Sequence, residues 1–391
     1  MNIEGRLQID LYPVAGQPNR VSIHSTRPLR AARIFEGKLP HEVLGQLPLV
    51  FSVCGIAQAT AAVQAFRQAL VLVATVPVDA ARSLLIQMET AREHLWRILI
   101  DWPAFLDEPA DAQRLAPLHA MLPVFRRALF ANSDAFSLQA ELRVDEDTLQ
   151  AQIDQLDGLL ASLVFGEPPA QWLRISDPGA LHDWSRRRES VAARLLQTVS
   201  GQGWQGLGAA DCGFLPDLPQ DRLNRLLEGP DAERFVAEPQ WENRACETTP
   251  LARQYDGELI RALAGEYGNG LLTRLVARLV ELARIPAAMR ALVTETGADR
   301  LADVNPVLPA GVGIGQVEAA RGRLVHRVVL EDGCVRRYQI LAPTEWNFHP
   351  DGVVARGLSQ LPDRDADTLQ RQAAMLINTV DPCVGYDLQV H

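Results

Sequence analysis

The sequence predicts a mainly α-helical fold with small β elements contributed by both ends of the chain, an α+β arrangement. Three observations carry that expectation. Apolar and polar side chains alternate near the amino terminus, Ala-, Leu- and Val-rich runs with three-and-four spacing fill the middle, and strand patterning returns around an Asp-Gly pair past Pro309.

Arg6 to Tyr12 sets Leu7, Ile9 and Leu11 against Arg6, Gln8 and Asp10, the pattern of a strand with one buried face, and Val21 to Ser25 is its expected partner. From about Ala57 to Asp101 the period becomes helical. One segment runs to a break at Pro77; a second, Ala80 to Asp101, stops before Pro103, since the residue ahead of a proline is driven out of helical geometry. Further helices are expected over 113–131, 146–163, 180–198 and 251–265. Residues 271–293 give the clearest pattern, with Leu272, Leu275, Val276, Leu279, Val280 and Ala283 on one face, which marks a helix of the core. Residues 200–245 are rich in Gly, Pro, Asp and Trp with little period, and read as an irregular lobe of a single domain spanning 1–391. Arg323–Leu330 and Val335–Leu341 flank Glu331-Asp332-Gly333-Cys334, where Asp-Gly suits the positive φ of a hairpin turn. A last helix over about 365–379 leads to Asp381-Pro382-Cys383.

Of the 391 residues 47% are hydrophobic and 22% charged, a globular balance that excludes disordered and collagen-like chains. The longest apolar stretches, such as Leu70 to Val78, fall well short of the roughly 18 residues a membrane span needs, so none is expected. A net charge of −10 opposes binding to a phosphate backbone, which makes nucleic acid an unexpected partner. The amino terminus lacks the basic and apolar regions of a signal peptide, so a cytoplasmic protein is expected. Five scattered cysteines, with no Cys-x-x-Cys pair, read as reduced thiols.

No Gly-x-Ser-x-Gly elbow, Gly-x-x-x-x-Gly-Lys loop or His-Glu-x-x-His helix is present. Gly311-Val312-Gly313-Ile314-Gly315 superficially suggests a nucleotide loop, but it neither follows a parallel-strand pattern nor opens a helix. A cysteine standing alone is most simply a small buried hydrophobe, so composition and spacing reach no further than a mainly helical soluble protein.

Six segments in order go further: Ile3-Glu4-Gly5-Arg6-Leu7; Phe35-Glu36-Gly37-Lys38-Leu39-Pro40; Cys54-Gly55; Glu247-Thr248-Thr249-Pro250-Leu251-Ala252-Arg253; Glu318-Ala319-Ala320-Arg321-Gly322 with Leu324, His326 and then Pro343-Thr344-Glu345-Trp346-Asn347; and Asp381-Pro382-Cys383. This ordered set resembles the large subunit of nickel–iron hydrogenases from end to end, least clearly over about 105–235. The resemblance implies a hydrogenase large-subunit-like helical core with amino-terminal strands and a carboxy-terminal β-hairpin.

In that family four thiolates, two from each end of the chain, hold nickel and iron, and the second cysteine of each pair bridges the metals. Here each pair is halved: Cys54 and Cys383 stand at the first positions, while Ala57 and Tyr386 occupy the second. Ser52 replaces the arginine ahead of the first cysteine, Ala32 stands at the carboxylate of the family's magnesium site, and His391 lies two residues beyond the family histidine. Two terminal thiolates cannot lock a bimetallic centre, so hydrogen turnover is not expected. They suit a single iron carrying diatomic ligands, held weakly enough to release.

The pattern therefore looks like the HupK/HoxV group of hydrogenase accessory proteins. That resemblance implies a non-catalytic scaffold on which Cys54 and Cys383 hold an Fe(CN)2(CO) fragment, with nickel also possible. Its implied partners are HypC/HypD-type maturation proteins and a hydrogenase large-subunit precursor. It also implies that Arg321 donates hydrogen bonds to cyanide, that Pro343 and Thr344 contact diatomic ligands, and that Glu4 occupies a proton-relay position. The chain stops at His391 without the extension that large subunits lose to a protease, so no maturation cleavage is expected. The rival reading is a non-catalytic structural subunit of a hydrogenase-like or complex-I-like electron-transfer assembly, and a third is an enzyme with a mononuclear metal site. His94 reads as a core histidine, Arg186-Arg187-Arg188 as a solvated helix face, and Cys212, Cys246 and Cys334 carry no assigned role.

Overall fold

The alternation at the amino terminus becomes strand β1 (Arg6–Tyr12) in the computed structural model, which describes residues 5–391 apart from 15, 29, 52, 74, 299–300, 302–307 and 363–364. β1 pairs antiparallel with β2 (Arg20–Ser25), Ile9 facing Ile23. Leu7, Ile9 and Leu11 bury their side chains against Val353, Leu358, Leu369, Ile377 and Val380 of the carboxy-terminal helices.

The second sheet is a meander, β3 (Val312–Ala319), β4 (Gly322–Glu331) and β5 (Cys334–Leu341), ordered β3-β4-β5. Its turn has φ of 51° at Asp332 and 77° at Gly333, the two positive values that a type I′ hairpin requires. The glycines from 311 to 315 lead into and form part of β3 and make no loop around a ligand. A Cβ on Gly313 would lie 1.8 Å from the Ala65 carbonyl oxygen, and one on Gly315 1.9 Å from that of Ala61. Both carbonyls belong to the Ala-rich second helix, so the alternating glycines let strand and helix backbones touch.

The remaining strand of the first sheet, β6 (Gly385–Val390), is unassigned from the sequence; it runs parallel to β1 with Leu388 opposite Ile9, giving the order β2-β1-β6. Helix α1 (Pro40–Val50) is likewise unassigned. Helices α2 (Gly55–Ala69) and α3 (Val76–Trp96) part at residues 70–75, ahead of Pro77 rather than at it. Pro77 sits in the first turn of α3, where its missing N–H leaves no hydrogen bond unmade. α4 (Ala116–Phe130) and α5 (Glu146–Leu160) fall inside their expected windows.

The windows 180–198 and 251–265 each divide, into Pro178–Arg186 with Val191–Gly201 and Pro250–Gln254 with Glu258–Tyr267. Ser190 caps the second helix of the first window, accepting from the Ala193 N–H, and a new cap ends one helix axis and starts another. The helix Leu271–Thr296 is buried on nearly every side over its first three turns, including Arg274 and Arg278. Residues 200–245 are less irregular than expected. They hold helices Gln220–Glu228 and Ala232–Ala237, whose Leu223, Leu227 and Phe235 share a core with Ile314, Val325 and Trp346. The last helix, Ala366–Val380, is capped by Asp365. Among the described residues no helix is long and apolar enough to cross a membrane.

Candidate functional site

Cys54 is the N-cap residue of α2, and Cys383 follows the last helix by way of Asp381, whose φ of 68° turns the chain toward β6. The two residues, from opposite ends of the sequence, line one cavity of about 50 Å3 together with Arg27, Arg321, Pro343 and Gln58. That volume is several times the roughly 10–15 Å3 that seats one water, and far below what an organic cofactor needs. Two larger hollows, of about 610 and 530 Å3, include neither cysteine.

Arg321 occupies the turn between β3 and β4 and is buried. Each of its three nitrogens makes one bond: Nη1 donates to the Cys54 sulfur at 3.3 Å, Nε to Asp381 at 3.1 Å and Nη2 to Glu93 at 3.0 Å. Asp381 also meets Arg97 at 2.7 Å and Arg278 at 3.6 Å. Burial alone would raise the Asp381 carboxyl, but the guanidiniums of Arg321, Arg97 and Arg278 outweigh it and hold the carboxyl below its usual range. Burial acts in the same sense at Cys54 and there prevails: it pushes the thiol up, favouring the protonated sulfur, and Arg321 opposes it only in part. Nearby Glu89 accepts the N–H groups of Ile56 and Ala57 at 2.9 and 3.0 Å, filling orphan donors of α2, while burial pushes its carboxyl up to about 7. Ala57 is fully buried in the apolar cluster around Cys54.

At the other sulfur, the Thr344 hydroxyl donates to Cys383 Sγ at 2.9 Å and accepts the Cys383 N–H at 3.2 Å. Thr344 lies in the short helix Pro343–Asn347, and Asn347 donates to the Arg321 carbonyl at 3.1 Å. The Glu-Thr-Thr-Pro segment supports the same turn. A Cβ on Gly322 would lie 1.8 Å from the Thr248 carbonyl oxygen, and the Thr248 hydroxyl accepts the Arg323 N–H at 2.9 Å. Glu247 forms a bidentate pair with Arg274, both fully buried. Arg253 binds Glu281 at 2.6 Å and the Ala320 carbonyl at 3.0 Å, so it ties the central helix to the residue before Arg321.

The other sequence candidates lie elsewhere. His94 is a core histidine bonded to Glu281 at 2.6 Å. His391 pairs with Asp10 at 2.9 Å and stacks on Tyr12, outside the cavity lining. Cys212 and Cys246 are buried, each directed at a backbone carbonyl. Glu4 and Ser52 fall outside the described residues. Sequence reasoning missed Arg27, which lines the cavity and pairs with Glu345 at 2.6 Å; it sits in an unpatterned, arginine-rich stretch where no spacing singles it out. Glu89 and Glu93 of α3, and Asp381 within the Asp381-Pro382-Cys383 motif, were not singled out as partners, because their bonds run to residues distant in sequence. Among the described residues no group of three or more His, Cys, Asp or Glu is placed to hold a metal ion. A two-sulfur site can take a metal only if the metal arrives with most of its ligands.

Residues 225–384 match the nickel-dependent hydrogenase family. Solved structures agree in fold, among them the nickel–iron–selenium hydrogenase of D. vulgaris Hildenborough at TM-score 0.57 and 19% identity, covering 94% of this chain and 93% of that one. Among curated relatives, the hydrogenase expression/formation protein HupK of Azotobacter vinelandii is 29% identical over 99% of this chain and 98% of its own. HoxV of Cupriavidus necator, another hydrogenase expression/formation protein, is 31% identical over 95% of this chain and 94% of its own. With a relative this similar across nearly its whole length, the chain belongs to the HoxV/HupV/HupK family of hydrogenase expression/formation proteins, maturation relatives of the hydrogenase large subunit.

Proposed function

We propose that the protein is a maturation scaffold that holds an Fe(CN)2(CO) fragment between the Cys54 and Cys383 sulfurs before passing it to a hydrogenase large-subunit precursor. The fragment is cargo, delivered by HypC/HypD-type maturation proteins, and the scaffold itself turns over no hydrogen. The observation that carries this reading is the shared cavity: two cysteines 329 positions apart in sequence line it, with a buried guanidinium bonded to one of them.

The chemistry follows from that arrangement. Loading requires Cys54 to give up the proton that burial favours, so the metal's charge and that of Arg321 must together offset the cost of a buried thiolate. A thiol that regains its proton readily is also a ligand that lets go. Arg321 is a planar donor suited to anionic acceptors such as cyanide nitrogen; Pro343 lines the cavity beside Cys383, and Thr344, outside the lining, holds the Cys383 sulfur. Nickel has no reserved place here, since Ala57 and Tyr386 stand where bridging sulfurs would be needed. Because the site draws on both ends of the chain, residues 1–391 work as one unit.

Infrared spectroscopy on protein isolated without oxygen from a host carrying the maturation machinery tests the proposal. Cyanide and carbonyl stretches that vanish in Cys54→Ser and Cys383→Ser are the expected result. Hydrogen uptake by the purified protein would replace the scaffold with an enzyme; absent bands together with stable association with electron-transfer subunits would replace it with a structural subunit.

A further inference from the structure

We infer that Arg27 is a second guanidinium of the cargo site, gripping an anionic diatomic ligand from the wall that the amino-terminal sheet contributes. The inference rests on the scaffold reading and deepens it: two cation donors facing one small cavity select a fragment that carries anionic acceptor atoms.

Three observations bear on Arg27. First, it lines the same cavity as both cysteines and Arg321, although it comes from the segment just after β2. Second, only Nη1 is engaged by protein: it donates to Glu345 at 2.6 Å, and among the described residues Nε and Nη2 donate to no protein acceptor. Arg321, in contrast, uses all three of its nitrogens. The Arg27 fork is therefore oriented by one carboxylate and keeps donors to spare, the disposition of a ligand-binding arginine rather than of a closed salt bridge.

Third, the backbone that carries Arg27 is built into place. Gly5 adopts φ +67°, and a Cβ there would fall 2.5 Å from the Arg27 Cα and 2.7 Å from its nitrogen. The neighbouring Thr26 N–H donates to the Arg6 carbonyl and the Arg6 N–H to the Thr26 hydroxyl, each at 2.9 Å. The glycine of the Ile-Glu-Gly opening thus lets this crossing happen. Electrostatics agree with the placement. Burial disfavours the Arg27 charge and Glu345 supports it, and each of the two sulfurs would add to that support once it is a thiolate, as loading requires.

The test compares wild type, Arg27→Met and Arg27→Lys, each isolated without oxygen from the maturation-competent host, with circular dichroism to verify folding. Iron retained after gel filtration and the infrared band positions are read on all three. Loss of charge-assisted donors predicts about tenfold lower iron retention in Arg27→Met. At least one cyanide stretch should move in both variants, with the carbonyl stretch moving less. Arg27→Lys keeps the charge and the Glu345 partner and should retain more iron than Arg27→Met. Should Arg27→Met fail to fold, the cyanide bands of Arg27→Lys decide alone. Unshifted cyanide bands in folded variants of a wild type that carries them would overturn the role of Arg27 and leave the scaffold standing. A wild type without bands would remove both.

Discussion

The sheet β2-β1-β6 joins segments from the two ends of the chain, whereas β3-β4-β5 folds from the continuous stretch Val312–Leu341. In the meander every pairing is local, a type I′ turn sets the register, and glycines seat the sheet directly on α2. In the terminal sheet the β1–β6 pair closes across almost the whole chain, and no turn fixes it. The candidate site takes one component from each: Arg321 stands on a corner of the meander, and Cys383 on the approach to β6. The meander supplies a rigid reference, and the terminal sheet brings the distant sulfur up to it. A site assembled this way is only as well formed as its long-range half.

Substitutions that break the local half should have the largest effects. Gly315→Val forces side-chain atoms into the Ala61 carbonyl and is expected to cost upwards of about 4 kcal/mol, read as loss of soluble protein or a collapsed urea midpoint. Arg274→Met leaves Glu247 buried without its partner and should cost about 3–5 kcal/mol by chemical denaturation; a further Glu247→Leu change should recover much of it. Removing residues 385–391 attacks the long-range half. It strips half-buried Tyr386, Leu388 and Val390 from β1 and should cost about 2–3 kcal/mol while leaving the helical circular dichroism largely intact. Cys54 should then react faster with thiol reagents, whereas unchanged reactivity would mean that β6 does not shape the cavity.

A smaller effect separates the two halves by pH. His326 of β4 lies between the Tyr338 hydroxyl and Gln58, and burial pushes its pKa down to about 3. The unfolded imidazole takes a proton near pH 6.5 and the folded one does not. Its contribution is therefore whole above about 6.5 and is lost as pH falls toward 3, at about 1.4 kcal/mol per pH unit. At pH 5 this amounts to about 2 kcal/mol. His326→Gln should flatten that slope relative to wild type; Glu89, whose raised pKa acts in the opposite direction, is common to both proteins and cancels. Least of all, Arg6→Ala breaks the exposed Arg6–Asp387 pair across β1 and β6 and should leave the melting temperature unmoved within error.

What could be read beforehand follows the same division. β1, β2, the Asp332-Gly333 hairpin and the helix Leu271–Thr296 were legible because each is specified by neighbours a few residues away. β6 and α1 were not: β6 depends on a partner at the far end of the chain, and α1 covers only 11 residues with Gly45 and Pro48 inside it. The divided window at 180–198 shows how one capping residue, Ser190, overrides an otherwise continuous apolar period, and that at 251–265 breaks at Gly257 without a side-chain cap. At the site, Cys54, Arg321, Pro343, Thr344 and Cys383 were named from ordered motifs and converge on one region. Arg27 and Glu93 acquire their meaning only from tertiary neighbours, since isolated charged residues carry no local pattern that announces a partner, and the Asp381 motif did not reveal that its carboxylate pairs with Arg321.

The parallel pairing of β6 with β1 also sets a timetable. A ribosome translating this message completes Cys54, α2 and the meander before Cys383, and until Cys383 is made the nascent chain holds one sulfur of the pair. The cavity that the two cysteines share can therefore close only after the residues beyond the last helix have emerged, so any role that needs both sulfurs waits for that final pairing.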